Sequence, residues 1–374
     1  MAVRSVQDRR DLDAFIDLPY RLHADDPLWV PPLRREVRAL LSRRRNPFFE
    51  HGEAELFLAE REGQIVGRIA AIVNGRHNQR HGDRVGFFGF FECIYDRRTA
   101  GELLDTAAAW ARKRGLDTLR GPASYSLNHE CGLLVDGFDT PPTVMTPHNP
   151  PYYAALLEGA GFRKAKDLWA YRSGISGGVE RLPERAVRAV EALGRRSGVT
   201  LRPLDLSRLQ EEAGKIREVF NACWAENWGF VPLTPAEMDH MTSQLRPVLY
   251  PQMVPLAERD GEVVGFTMAI PDVNHVLRGN RSGRLLPVMP RLPWSLWRKR
   301  IPRTRVLLLG IRPEFRGKGV DAMLWHWIWS RAARHGIRWA EASWILEDNA
   351  AMNNALRKMN FSRYKTFRLY DRPL

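Results

Sequence analysis

The sequence predicts an α/β protein with a mixed sheet, laid down twice in tandem. Three observations lead there. The 374 residues exceed what one ordinary hydrophobic core serves, so two domains are expected. A repeat runs through the chain at an offset near 199. Within each copy the apolar patterning passes between strand and helix without strict β–α–β alternation, which points to a mixed rather than a purely parallel sheet.

The repeat is read from three matches in the same order. The segment from Leu58 to Gly67 returns as Leu256 to Gly265, with Leu-Ala-Glu-Arg at the head of both. Gly161-Phe162 returns as Asn360-Phe361. Trp29 followed by Pro32-Leu33 resembles Trp228 followed by Pro232-Leu233. One offset for all three argues for duplication.

Each copy opens on a strand, Ala2–Val6 or Val199–Pro203, and a helix, Leu12–His23 or Leu206–Trp224. Two strands then meet at a charged turn with Gly63 or Gly261, the chemistry of a tight hairpin. An apolar strand follows, Gly86–Ile94 or Val306–Ile311, and then a helix, Ala100–Arg114 or Val320–His335. Gly115 and Gly336 stand where a helix end favours glycine. A strand, Thr118–Gly121 or Trp339–Ile345, and a helix, Tyr152–Gly159 or Asn349–Met359, come next. A last strand, Lys166–Arg172 or Lys365–Tyr370, is expected to close each unit. Residues 1–178 form the first unit, 179–198 a helical connector with the boundary near Gly177-Gly178, and 199–374 the second unit.

The composition, 44% hydrophobic and 27% charged, is that of a globular protein. Lys plus Arg number 57 against 43 acids, a net +14 that favours anionic partners without choosing among them. Cys93, Cys131 and Cys223 are too scattered for a disulfide framework or a zinc site, so no metal is expected. The start has no signal-peptide pattern, and no stretch reaches the ~20 apolar residues of a spanning helix. A cytoplasmic protein is expected, with a peripheral place at the inner membrane as an extension of that reading.

The sharpest signal is the stretch Leu307–Val320, where an apolar strand ends, Arg316-Gly317-Lys318-Gly319 follows, and a helix begins at once. Glycines let main-chain N–H groups approach a ligand, the helix start adds its positive end, and the two cations add full charge. That is a phosphate cradle; its plain alternative is a basic surface turn.

Here the sequence resembles the GCN5-related N-acetyltransferase (GNAT) family, whose pyrophosphate loop reads Arg/Gln-x-x-Gly-x-Gly/Ala. Arg316 and Gly319 fit it, and Asp321 replaces the last Gly or Ala. Asn349, Lys358 and Phe361 match the family's closing helix, in which Leu356 replaces the usual tyrosine and Asn360 the usual glycine. The first copy has Tyr95–Ala100 in place of such a loop, so one site is expected, in the second unit. The resemblance implies acetyl-CoA or a longer acyl-CoA as co-substrate, bound by Leu309, Ile311, Arg316, Gly317, Lys318, Gly319, Val320 and Asn349. It implies transfer to an amine. The segments Gly86–Glu92, His148–Tyr153 and Lys164–Leu168 resemble bacterial tandem GNAT proteins of the YghO type, which implies a sphingoid-type, lipid-like amine.

Direct transfer needs a base. Glu347, at a strand end near the loop, is the first candidate, with Glu92 and Glu341 beside it. His148, Asn149, Tyr152 and Tyr153 are read either as the acceptor cleft or as a turn in which Asn149 caps a helix. Trp224, Asn227 and Trp228 are read as walls of the same cleft or as ordinary core.

Residues 275–305 carry nine Lys/Arg and no acid, interleaved with Leu285, Leu286, Met289, Trp294 and Trp297. A solvated loop, an interfacial anchor on an anionic membrane and a nucleic-acid contact all fit this composition, with no specific nucleic acid favoured. Two rival functions stay open. One is an aminoacyl-tRNA-dependent transferase resembling the FemABX ligases; the other is a non-catalytic module binding CoA or lipid.

Overall fold

The computed structural model describes residues 1–174 and 184–374. The expected boundary at Gly177-Gly178 and the first residues of the connector lie outside the described residues.

The first unit runs β1 (Ala2–Ser5), α1 (Arg9–Leu22), α2 (Arg34–Leu40), β2 (Gly52–Arg61), β3 (Gln64–Asn74), α3 (Gly75–His81), β4 (Val85–Cys93), α4 (Arg97–Arg112), β5 (Thr118–Gly121), β6 (Leu133–Asp136), α5 (Tyr153–Gly159) and β7 (Arg163–Gly174). The connector helix is α6 (Glu184–Ser197). The second unit runs β8 (Thr200–Pro203), α7 (Leu209–Cys223), α8 (Pro235–Leu245), β9 (Pro255–Arg259), β10 (Glu262–Pro271), α9 (Asn274–Leu277), α10 (Arg291–Trp297), β11 (Arg303–Ile311), α11 (Val320–Ala332), β12 (Trp339–Leu346), α12 (Ala350–Lys358) and β13 (Ser362–Pro373).

The duplication is written in the geometry. At the two hairpin tips Glu62-Gly63 have φ of 52° and 76°, and Asp260-Gly261 have 52° and 82°. Both pairs occupy the left-handed region that a two-residue hairpin turn requires. Gly161 and Asn360 are left-handed too, at 87° and 62°. Asparagine tolerates that conformation better than most residues, which is why it can stand where its counterpart is glycine.

Among the described residues all strands join one sheet, in the order β1-β2-β3-β4-β5-β13-β7-β12-β11-β10-β9-β8, with β6 attached to β13. Helices cover both faces. Ala100, Leu103 and Ala107 of α4 fill one core of the first unit, while Ile216, Val219 and Phe220 of α7 fill a core of the second.

The closing strands do not stay with their own units. β13 pairs with β5 of the first unit, Tyr370 opposite Gly121. β7 pairs with β12 of the second, Trp339 opposite Gly174. The two exchanged strands lie antiparallel to each other from Ser362 opposite Arg172 to Asp371 opposite Arg163. Alternating burial marks a strand but does not name its partner, so the crossing is a tertiary choice.

Candidate active site

β11 and β12 run parallel from Arg303 opposite Trp339 to Val306 opposite Ala342. Beyond that register β11 stays with β10 as far as Ile311, and β12 stays with β7 as far as Leu346. A gap therefore opens between Leu307–Ile311 and Ser343–Leu346. Leu307 is the extra residue of a bulge opposite Met268-Ala269, which bends β11 where the gap starts.

One end of the gap meets the basic loop. Arg316, Gly317 and Lys318 are exposed, and Val320 is fully buried at the start of α11. Gly317 has φ +73° and open space where a side chain would stand. Arg316 donates from Nη2 to the Cys223 carbonyl at 3.0 Å and from Nε to that of Ile311 at 3.3 Å, which orients its guanidinium over the strand end. Lys318 Nζ lies 5.0 Å from the Phe315 ring. Gly319 is left-handed at +82°, and a β-carbon there would stand 2.7 Å from the Leu193 side chain of α6. The connector helix thus packs directly against the loop. An open glycine, two cations and a helix start fit a diphosphate. Asp321 is exposed in the first helical turn.

Along the gap lies a cleft of about 150 Å³ between the units. Leu307, Leu308, Trp344 and Leu346 form its floor; Trp224, Trp228 and Phe230 form one wall; Leu127, Cys131, Met145 and Leu168 of the first unit form the other. The walls are apolar, with Arg305 and Asn227 among the few polar groups. Trp228 lines this cleft, and Arg120 and Lys166 lie 4.6 and 5.7 Å from its ring.

Beneath the cleft is a buried polar network. Arg305 donates to the carbonyls of Val144, Met145 and Ser343 and to the Ser343 hydroxyl. Glu341, 3.8 Å away, accepts from the hydroxyls of Thr143, Ser343 and Tyr364. Burial, and then Glu341, hold the Tyr364 hydroxyl far above its ordinary range. Arg305, the last cation of the 275–305 segment, is fully buried, because these acceptors converge on it.

Several expected site residues are engaged elsewhere. Glu347 accepts from Lys164 Nζ at 2.6 Å and from the Asp167 main-chain N–H at 3.0 Å, so it ties α12's entry to β7 and does not line the cleft. Glu92 accepts from Tyr153 at 2.7 Å and pairs with His23 at 2.9 Å, inside the first unit. Burial pushes its carboxyl up, but His23, Arg68 and Tyr153 pull it net below the ordinary value. Asn349 caps α12 through the Met352 N–H. Leu309 and Ile311 send their side chains into the core under α11, leaving main chain toward the gap. His148 is bonded to Asp26, and Tyr152 to the Cys93 carbonyl. Asn149 neither lines the cleft nor caps α5; both its amide groups hold Leu134 of β6. Leu356 is wholly buried in the core.

One carboxylate went unread in the sequence. Glu130 precedes Cys131 of the cleft wall and keeps solvent contact. Glu130 is exposed at the surface, yet the protein packed around it, with Glu92 adding to the effect and Arg68 and Arg305 opposing, raises its carboxyl to about 7. No motif surrounds it; the fold alone brings it near Arg305.

A profile of the Acetyltransferase (GNAT) family matches residues 214–361. A bacterial ceramide synthase of Caulobacter vibrioides is 37% identical over 381 residues, covering 100% of this chain and 98% of that protein. Protein YghO of Escherichia coli is 36% identical over 382 residues, covering 100% and 95%. The chain belongs to the GCN5-related N-acetyltransferase (GNAT) family. Solved structures agree on the tandem GNAT fold. A tandem GNAT protein from the clavulanic acid biosynthesis pathway superposes with a TM-score of 0.60 at 14% identity, covering 100% of this chain and 98% of that one. A GNAT protein from Sphaerobacter thermophilus gives 0.54 at 14% identity, covering 100% and 95%.

Proposed function

We propose that this protein is an acyl-CoA-dependent N-acyltransferase that moves an acetyl or longer acyl group to an amine held between the two units. One observation carries the reading: the basic loop before α11 and the apolar interunit cleft meet along the unpaired stretch of β11. In this reading 199–374 carries the CoA site, and 1–178 walls the acceptor without binding CoA itself.

Arg316, Gly317, Lys318, Gly319 and Val320 would hold the diphosphate, and the main chain of Leu309 and Ile311 would face the pantetheine arm. Bound there, the thioester supplies an activated acyl carbon. The aromatic walls exclude water and orient the amine. Glu130, next in sequence to Cys131 of the cleft wall and with its carboxyl raised, is the carboxylate assigned to receive the amine proton. The departing thiolate draws its proton from solvent, because Leu356 offers none.

The apolar lining favours a lipid-like amine. The relative named a bacterial ceramide synthase supports the sphingoid type. The enzyme then works on the cytoplasmic side, peripheral to the inner membrane, with 275–305 as the contact. Among the described residues no helix is long and apolar enough to cross a membrane.

The test is thiol release from acetyl-CoA and long-chain acyl-CoA across an amine panel that includes a sphingoid base. Release that depends on both substrates and is lost in Arg316→Glu supports the reading. Retention of RNA with no CoA binding would favour aminoacyl-tRNA as donor. CoA binding without thiol release from any amine would leave a binding module.

A further inference from the structure

Among the described residues six large apolar side chains are exposed, and four of them lie within twelve positions of one another: Leu286, Met289, Trp294 and Trp297. Their exposures are 78%, 56%, 45% and 72%. Trp294 and Trp297 are three apart on α10, so they share a face. The opposite face is anchored: Leu296 and Val288 are buried, and Leu292 packs near Val248 and Tyr250. Tyr250 also donates to the Leu296 carbonyl at 2.8 Å. The patch is therefore held out by a packed base.

The base is pinned to the first unit as well. Arg281 donates to the carbonyls of His23, Ala24, Asp26 and Trp29, and Arg278 to that of Pro27. Around the patch stand exposed Arg284, Arg291, Arg298, Lys299 and Arg300, and no acid occurs in 275–305. The guanidinium of Arg298 lies 4.7 Å from the Trp297 ring, and that of Arg300 lies 4.4 Å from Trp294. Indole at the polar–apolar boundary with guanidinium beside it matches an anionic bilayer, where the rings enter the headgroup layer and the cations meet phosphates.

Position adds direction. The insertion enters β11 at Arg303, while the basic loop follows its other end at Ile311. Nine strand residues separate the two ends of β11 by roughly 30 Å, so the insertion and the basic loop adjoin opposite ends of one strand. The cleft residues Arg305, Leu307 and Leu308 lie between them.

We infer that the face carrying Leu286, Met289, Trp294 and Trp297 docks the protein on an anionic lipid bilayer, with the basic loop before α11 turned away into the aqueous phase. Docked this way, the protein meets a membrane amine from one end of β11 and a water-soluble donor from the other. That last consequence rests on the acyl-transfer reading; the docking itself does not.

The experiment is flotation of the full chain with vesicles of equal parts phosphatidylcholine and phosphatidylglycerol, and with phosphatidylcholine alone. The protein floats with the anionic vesicles, and Trp294→Ser with Trp297→Ser lowers the vesicle-bound fraction about tenfold or more. Arg298→Glu with Arg300→Glu does the same, and both variants keep the parent's thermal midpoint. CoA added to vesicle-bound protein binds as it does in solution. The inference is overturned if the parent does not float, or if the double variants float equally. It is also overturned if sedimentation shows a dimer that the Trp substitutions dissolve, or if RNA binding is what they abolish. Flotation needs no catalysis: a protein that floats but acylates no amine keeps its docking face and loses its proposed reaction. One that acylates a soluble amine without floating does the reverse.

Discussion

Arg305 and Glu341 face each other 3.8 Å apart on neighbouring parallel strands, and both side chains are essentially without water contact. Three hydroxyls complete the carboxylate and three carbonyls complete the guanidinium. The pair sits at the base of the gap between β11 and β12, so it ties the opening of the cleft to the packing of the two units.

Glu341→Gln should accordingly cost about 3–5 kcal/mol, because it leaves Arg305 as an uncompensated buried charge. Urea denaturation measures this as a lowered midpoint. Glu347→Gln makes the contrast. Its partner Lys164 has a side chain 41% exposed, and such pairs contribute about 1 kcal/mol or less. Acyl transfer should survive that change. A large loss of turnover in Glu347→Gln with unchanged stability would restore Glu347 as the base.

Arg316→Glu should weaken CoA binding by at least about tenfold, since it replaces a cation at the loop with an anion. Calorimetric titration reads the affinity directly. The same substitution should leave the thermal midpoint nearly unchanged, because Arg316 is exposed. Equal CoA affinity in parent and variant would move the donor site away from the loop.

Gly319→Ala tests the packing of α6 on the loop. Its φ of +82° is costly for a side chain, and the new methyl would crowd Leu193. A loss of about 1–2 kcal/mol is expected, with weaker CoA binding. Leu193→Ala in the same chain should recover part of the loss by making room. No recovery would mean that backbone strain alone sets the cost.

Glu130 supplies the pH dependence. Its carboxyl is raised from 4.5 to about 7, so the folded chain holds this proton more tightly than the unfolded chain. The stabilisation is full below 4.5 and is lost as pH rises through about 7. Glu130→Gln should flatten the stability curve across that interval. As a proton acceptor Glu130 works only when ionised, so turnover should fall below pH 7 in the parent. In Glu130→Gln turnover should be low throughout, with CoA affinity retained. A parent-like pH–rate profile in the variant would remove Glu130 from the reaction.

The hairpin tips were legible because left-handed positions leave a local trace, Glu-Gly or Asp-Gly between apolar runs. The loop Arg316–Gly319 was legible for the same reason: glycine, charge and a helix start are adjacent in sequence. Asn149 and Glu347 were misread because a polar residue beside a helix or strand end looks alike whether it serves a ligand or the main chain. Only the distances to Leu134 and Asp167 separate the two.

By itself the sequence determined the duplicated α/β units, the strand-and-helix order the two copies share, the basic glycine loop before α11 and the basic, tryptophan-bearing insertion; it left α2, α3, β6, α8, α9 and α10 unread. Each feature it determined follows from patterns within a few neighbouring residues or from the repeat itself. The tertiary structure decided the rest. It crossed β7 and β13 between the units, walled the cleft with Cys131 and Leu168 of the first unit, and buried Arg305 against Glu341. Strand pairing and charge burial depend on residues far apart in the chain, and an alternating pattern carries no record of which partner it meets.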